Sequence, residues 1–95
     1  MAKFDIYRLR GNVMAIDCQS DVLESLSTRF VVPLVSTSEP SSRLKPKFTI
    51  DGKAWTMVTP LARAIDVRDI EAVVASLVFA EYEIKTALDG LISGY

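Results

Sequence analysis

The chain has no histidine and a single cysteine in 95 residues, and these two scarcities remove most of the usual enzyme chemistry. Without imidazole, the commonest general base and the commonest metal ligand are gone. Cys18 has no histidine to take its proton, cannot close an internal disulfide and cannot build a zinc site. One unpaired cysteine agrees with a reducing cytoplasm. The four glycines are too scattered to form a phosphate-cradling loop, and no cofactor or metal is expected. Charge of one sign is also lacking: 11 basic residues stand against 12 acidic ones, a net of −1. That balance gives no field to hold a polyanion, so direct nucleic-acid binding is not expected. The longest apolar run, Val73 to Ala80, is interrupted by Ser76 and is too short to span a bilayer. The opening Met-Ala-Lys-Phe-Asp lacks the regions of a signal peptide. The expectation is a cytoplasmic protein with no membrane contact.

What is present is an apolar, strand-rich chain. With 49% hydrophobic residues and positive mean hydropathy, residues 1–95 are expected to form one domain with a single core. That much apolar character in a short chain also leaves surface to spare, which favours an oligomer. Arg43, Lys45, Lys47 and Lys53 cluster in the middle, whereas the chain from Asp66 onward is mostly acidic; a solvated loop is the ordinary reading of such a cluster. There are no internal repeats.

Lys3 to Arg10 alternates with Phe4 and Ile6 on one face, the period of a strand. Gly11-Asn12 is suited to the positive φ of a tight hairpin, and Val13 to Cys18 returns as a second strand. Its apolar residues on both faces imply a central position, with Cys18 a small buried hydrophobe. Asp17 to Ser27 fits neither period and reads as a loop, with Val22-Leu23 an apolar pair in its middle. Thr28 to Val35 is the next strand; Pro33 inside it implies an edge position or a bulge. Ser36 to Pro46 is the longest loop. Phe48 to Ile50 and Lys53 to Val58 flank Asp51-Gly52 as a second hairpin, in which Trp55 and Met57 share a face. Thr59-Pro60 breaks the strand. Ala64 to Ile70 is either a strand or the start of a long helix capped by Asp66 or Asp69. From Glu71 onward Val73, Val74, Leu77 and Phe79 strengthen the helical reading. From about Phe79 to Tyr95, Ile84, Ala87, Leu88, Leu91 and Ile92 recur on one helical face, with Glu81 placed four residues before Lys85 on the solvated side. Ser93-Gly94-Tyr95 then projects beyond the stripe. The fold class is α+β, mainly β: a small barrel of antiparallel strands with a C-terminal α-helix.

Asp17-Cys18-Gln19-Ser20-Asp21-Val22-Leu23 followed by Arg29-Phe30-Val31-Val32-Pro33-Leu34 resembles the signature of the CcdB family of bacterial toxins. The family pattern there is Asp-Val-Gln-Ser-Asp, two aliphatics, and a strand ending in Val-Ile-Pro-Leu. The opening Phe-x-x-Tyr strand, the Trp55-x-Met57 strand and the end, from Ile84-Lys85 through Ala87-Leu88 to Gly94 and one last bulky residue, are similar to the same family. The likeness spans the chain, with a shorter first hairpin. It implies an SH3-like barrel core, a cytoplasmic homodimer, neutralisation by an antitoxin, and poisoning of a type II topoisomerase through the A subunit of DNA gyrase. Family positions that contact gyrase correspond to Val22, Leu23, Asp89, Ile92, Ser93, Gly94 and Tyr95, and the helix end with Leu91 near the two-fold axis would form the dimer. The departure is Ser93, where the best-known family pattern has tryptophan; Tyr95 replaces an aliphatic terminus and returns some aromatic area.

Two alternatives accompany this reading. The same barrel hosts endoribonuclease toxins, and fold alone does not separate them. Arg8, Arg10 or Arg29 with Ser27 or Thr28 would be the residues to converge on RNA. A family member that only binds antitoxin is the third possibility.

Overall fold

A computed structural model describes residues 2–19 and 27–93, the side chain of Ser93 excepted. Among the described residues seven strands and one α-helix follow one another: β1 Asp5–Leu9, β2 Val13–Asp17, β3 Thr28–Val35, β4 Lys47–Ile50, β5 Lys53–Met57, β6 Arg63–Asp66, β7 Ile70–Ser76 and α1 Glu81–Ser93. The strands form one curled antiparallel sheet in the order β4-β5-β3-β2-β1-β7, with β6 pairing β3 beside that path. The result is a half-barrel closed by the terminal helix, in agreement with the fold class read from the sequence.

Both hairpins form where the turn residues place them. Asn12 and Gly11 take φ of 61° and 85°, and Asp51 and Gly52 take 51° and 78°, the left-handed values that a tight two-strand reversal demands. Around the second turn Ile50 lies opposite Lys53 and Phe48 opposite Trp55. β2 is central, between β1 and β3, as its two apolar faces imply.

Two expectations are corrected. Pro33 is neither on an edge nor at a bulge: β3 is interior, with β2 along one flank and both β5 and β6 along the other. On that second flank β6 pairs as far as Val31 and β5 begins at Leu34, so Pro33 falls in the seam between them. Its carbonyl accepts from Val58 N at 3.0 Å. Its ring nitrogen has no hydrogen to return that bond, and β5 ends at Met57. The second correction concerns the long helix, one of the two readings of Ala64 to Ile70 and the one favoured from Glu71 onward; the strand reading holds for β6. Residues 64–76 are β6, a one-turn 3-10 helix at Val67–Asp69, and β7. Asp66 does act as a cap, accepting from Arg68 N at 2.8 Å, but it caps that single turn. β7 then pairs with β1, Ile6 opposite Ala75 and Tyr7 opposite Val73.

The sheet buries side chains on both faces. Phe4, Ile6, Ile16, Cys18, Val32, Leu34, Phe48, Ile50 and Met57 meet Leu77, Ala80, Ile84 and Ala87 beneath the helix. On the other face Tyr7, Leu9, Ala15 and Val31 pack with Val13, Ile65 and Ile70. β1, β2, β3 and β7 therefore feed both cores by simple alternation, whereas β4 and β5 serve the first and β6 the second.

Candidate functional site

The second face carries a buried polar cluster at the mouth of the 20–26 segment. Asp17 ends β2 and Arg29 is the second residue of β3, and both are essentially removed from solvent, Arg29 at 1% exposure. Arg29 Nε donates to Asp17 Oδ2 at 2.7 Å. Its Nη2 lies 2.7 Å from the same oxygen, an ionic contact off the line of a hydrogen bond. The Tyr7 hydroxyl donates to that oxygen as well. The second carboxylate oxygen accepts from Gln19 N at 2.9 Å, and Gln19 Oε1 accepts from Phe30 N at 2.9 Å. With Cys18 N donating to the Phe30 carbonyl at 2.8 Å, the outgoing and incoming ends of the segment are tied together. Sequence reading placed Asp17 where the second strand runs into a polar loop, put Gln19 in that loop, and named Arg29 only as one of the residues an RNA-cleaving alternative would need. The signal available was alternation, since Tyr7, Asp17 and Arg29 all fall on the Leu9–Ala15–Val31 face.

The electrostatics follow from that burial. Burial, and then the hydrogen bond to Asp17, push the Tyr7 hydroxyl well above its usual pKa. Burial pulls the Arg29 pKa down, but the hydrogen bond and charge of Asp17 outweigh it and hold the guanidinium charged. The Cys18 thiol is pushed up to about 12, first by burial and then by the neighbouring Asp17 charge. A thiol held there is not a nucleophile at neutral pH, and its burial agrees with the small-hydrophobe reading.

The expected gyrase-contact and dimer residues divide into three groups. Leu91, Ile92 and Asp89 lie on the last turns of α1. The apolar stripe is buried at Ile84 and Ala87 and partly buried at Leu88, but Leu91 is 39% and Ile92 85% exposed. The α1 backbone runs through Ser93, whose side chain lies outside the described residues. Val22, Leu23, Gly94 and Tyr95 also lie outside them. The residues imagined for RNA cleavage are not assembled. Arg29 is locked to Asp17, Arg8 reaches Glu71 at 3.5 Å and Arg10 reaches Asp69 at 3.6 Å. Among the described residues no group of three or more Cys, Asp and Glu could hold a metal ion, and no helix is long and apolar enough to cross a membrane.

With the half-barrel, the polar cluster joining the ends of β2 and β3 and the uncovered helix end established, the chain can be set beside known proteins. Residues 3–94 match the sequence model of the CcdB family, described as CcdB protein. Among solved structures, one titled as the crystal structure of an Mtb toxin superposes with a TM-score of 0.75 at 10% identity, over 95% of this chain and 99% of that one. The Mycobacterium tuberculosis toxin MazF-mt6 superposes with a TM-score of 0.77 at 12% identity, over 97% of each. At such identities the two structures speak for the fold alone. The family match covers nearly the whole chain. This chain belongs to the CcdB family, toxins of toxin–antitoxin systems whose partner is an antitoxin.

Proposed function

We propose that the protein binds the A subunit of DNA gyrase as a homodimer and poisons the topoisomerase by trapping its cleaved-DNA complex. The observation that carries this reading is the helix end. An amphipathic helix normally covers its whole apolar stripe, but here the stripe continues through Leu91 and Ile92 after the core contacts have stopped. An exposed apolar helix terminus of this kind is a surface for a partner. The family relation supplies the partner, gyrase for Ile92 and the residues after it, and a second copy for Leu91.

The ribonuclease reading is weaker on this surface. Arg29 is spent inside the core, and Arg8 and Arg10 each face a carboxylate. The same purified protein tested for gyrase-dependent cleavage of supercoiled DNA and for cleavage of a mixed RNA substrate separates the two. Gyrase-dependent linear DNA with intact RNA is expected. Removal of residues 93–95, or Ile92→Asp at this exposed position, abolishes the linear product while the far-UV spectrum stays unchanged. Ser93→Trp strengthens gyrase binding by about tenfold or more, since a buried aromatic anchor contributes on the order of 2 kcal/mol. RNA cleavage without gyrase poisoning would refute the proposal, and full poisoning by the truncated chain would move the gyrase contact to Val22-Leu23.

A further inference from the structure

The basic cluster in the middle of the chain has no part in the function proposed above, and the structure puts three of its four members, Arg43, Lys45 and Lys47, on or just before an open sheet edge, while Lys53 lies on β5. β4 is a terminal strand of the sheet, hydrogen-bonded on one side only. Its pairing with β5 extends beyond the hairpin: Met57 N donates to Pro46 O at 2.9 Å and Thr59 N to Leu44 O at 3.2 Å, continuing the Phe48–Trp55 and Ile50–Lys53 pairs. In an antiparallel ladder of this register, alternate residues direct both backbone groups toward the partner strand. Those are 44, 46, 48 and 50; residues 45, 47 and 49 direct theirs outward. Ser42 closes Lys45 by two reciprocal bonds of 3.2 Å. Among the described residues, the outward N–H and C=O of Lys47 and Thr49 are left open.

Beside this edge lies a groove of about 270 Å³, walled by Lys47, Phe48 and Thr49 on the strand and by Phe79, Ala80 and Glu83 at the head of α1. Phe79 is 77% exposed there, with Val78 and Tyr82 also open to solvent. The two faces of the edge differ in character. The inner face, which Phe48 and Ile50 share with the helix, presents the Phe79 ring with Glu83 at its rim. On the outer face Lys47 stands beside the open backbone groups, its Nζ touching only the Thr37 carbonyl, at 3.3 Å. Lys45 and Arg43 precede it in the chain.

We propose that the free edge of β4 binds an extended peptide segment of alternating acidic and apolar residues, which adds to the sheet as an eighth strand. The open backbone groups of Lys47 and Thr49 pair with the peptide main chain. Its apolar side chains fall on Phe79, and its acidic side chains fall on the outer face beside Lys47, away from Glu83. A second copy of this chain is a poorer occupant, because antiparallel pairing of two β4 edges sets Lys47 near Lys47. Unpaired edges are otherwise blunted by just such charges, and here the charge that repels self-pairing is the one that selects an acidic strand.

The test uses an acetylated and amidated peptide Glu-Val-Glu-Val-Glu-Val-Glu against the isotope-labelled full chain. Saturable shifts of the Lys47 and Thr49 amides are expected, with affinity falling as salt rises. The lysine counterpart of the peptide binds at least tenfold more weakly. So does the same peptide N-methylated at alternate residues, which keeps charge and shape but loses the edge donors. Phe79→Ser and Lys47→Glu, both at exposed or half-exposed positions, each weaken binding by about threefold to tenfold. Shifts confined to another surface, equal affinity of the methylated peptide, or concentration-dependent self-association through β4 would each overturn the proposal. None of these readouts depends on gyrase.

Discussion

Replacing Asp17 tests whether the buried cluster governs the stability of the whole domain. Asp17→Asn keeps an acceptor for Gln19 N but leaves the Arg29 guanidinium, 1% exposed, without a counter-charge. Breaking a buried pair from one side costs about 3–5 kcal/mol. A 95-residue domain has roughly 5–14 kcal/mol in all, so from about a fifth to nearly all of the total stability is at stake. Arg29→Met is the gentler half, because Asp17 retains the Tyr7 hydroxyl and the Gln19 amide; a loss of about 2–3 kcal/mol is expected. Neither single change equals the worth of the pair, since each leaves a different group stranded. The double variant should therefore be more stable than the two losses added together predict, by at least about 1 kcal/mol. Urea unfolding at one fixed protein concentration, with the slope checked for constancy, measures all three. Losses below about 1 kcal/mol that simply add would show that the cluster is solvated and that the reasoning from burial fails.

The Cys18 thiol, raised from 9.0 to about 12, binds its proton more tightly folded than unfolded. Its contribution is thus complete below pH 9 and is lost as pH climbs from about 9 toward 12, at up to about 1.4 kcal/mol per pH unit. Cys18→Ala should flatten that alkaline limb while costing roughly 1 kcal/mol at neutral pH, and alkylating reagents should label the native thiol slowly; rapid labelling would contradict its burial. Sedimentation at micromolar concentration should give a dimer that Leu91→Glu dissociates, and a clean monomer in the unaltered chain would remove the dimer from the proposal.

Local turn chemistry was the most legible part of the sequence. Gly11-Asn12 and Asp51-Gly52 marked both hairpins because their backbone conformation is costly for other residues, and Thr28–Val35 matched β3 end to end. For residues 64–70 the strand alternative held over β6, but the helical reading from Glu71 onward failed across β7, because two genuine signals pointed to the wrong element. Asp66 really caps a helical turn, but one of three residues. Val73, Val74 and Leu77 mimic a helical stripe, yet β7 sits at the sheet's edge with both valines partly open to solvent. Paired β-branched residues were the better guide there. Pro33 was misjudged for a different reason: the split of one flank of β3 between two strands is a tertiary fact that no local pattern carries. The site was partly legible. Leu91 and Ile92 extend the helical stripe as read, but only packing shows where burial stops, and the Asp17–Arg29 pair is invisible until the sheet faces are assigned.

The pairing of β1 with β7 has a temporal consequence. Ile6 finds its partner Ala75 only after nearly the whole chain has been made. At 5–20 residues per second, synthesis of the intervening stretch takes roughly 3–14 s. During that interval the first strand has a neighbour on one side only, and α1, made last, has yet to cover the core. A nascent copy therefore cannot present its helix end on a finished barrel. The uncovered helix end stands on a complete core only after β7 has paired with β1 and α1 has packed. A protein partner able to meet the chain during those seconds would encounter exposed strand edges and core that the mature fold conceals.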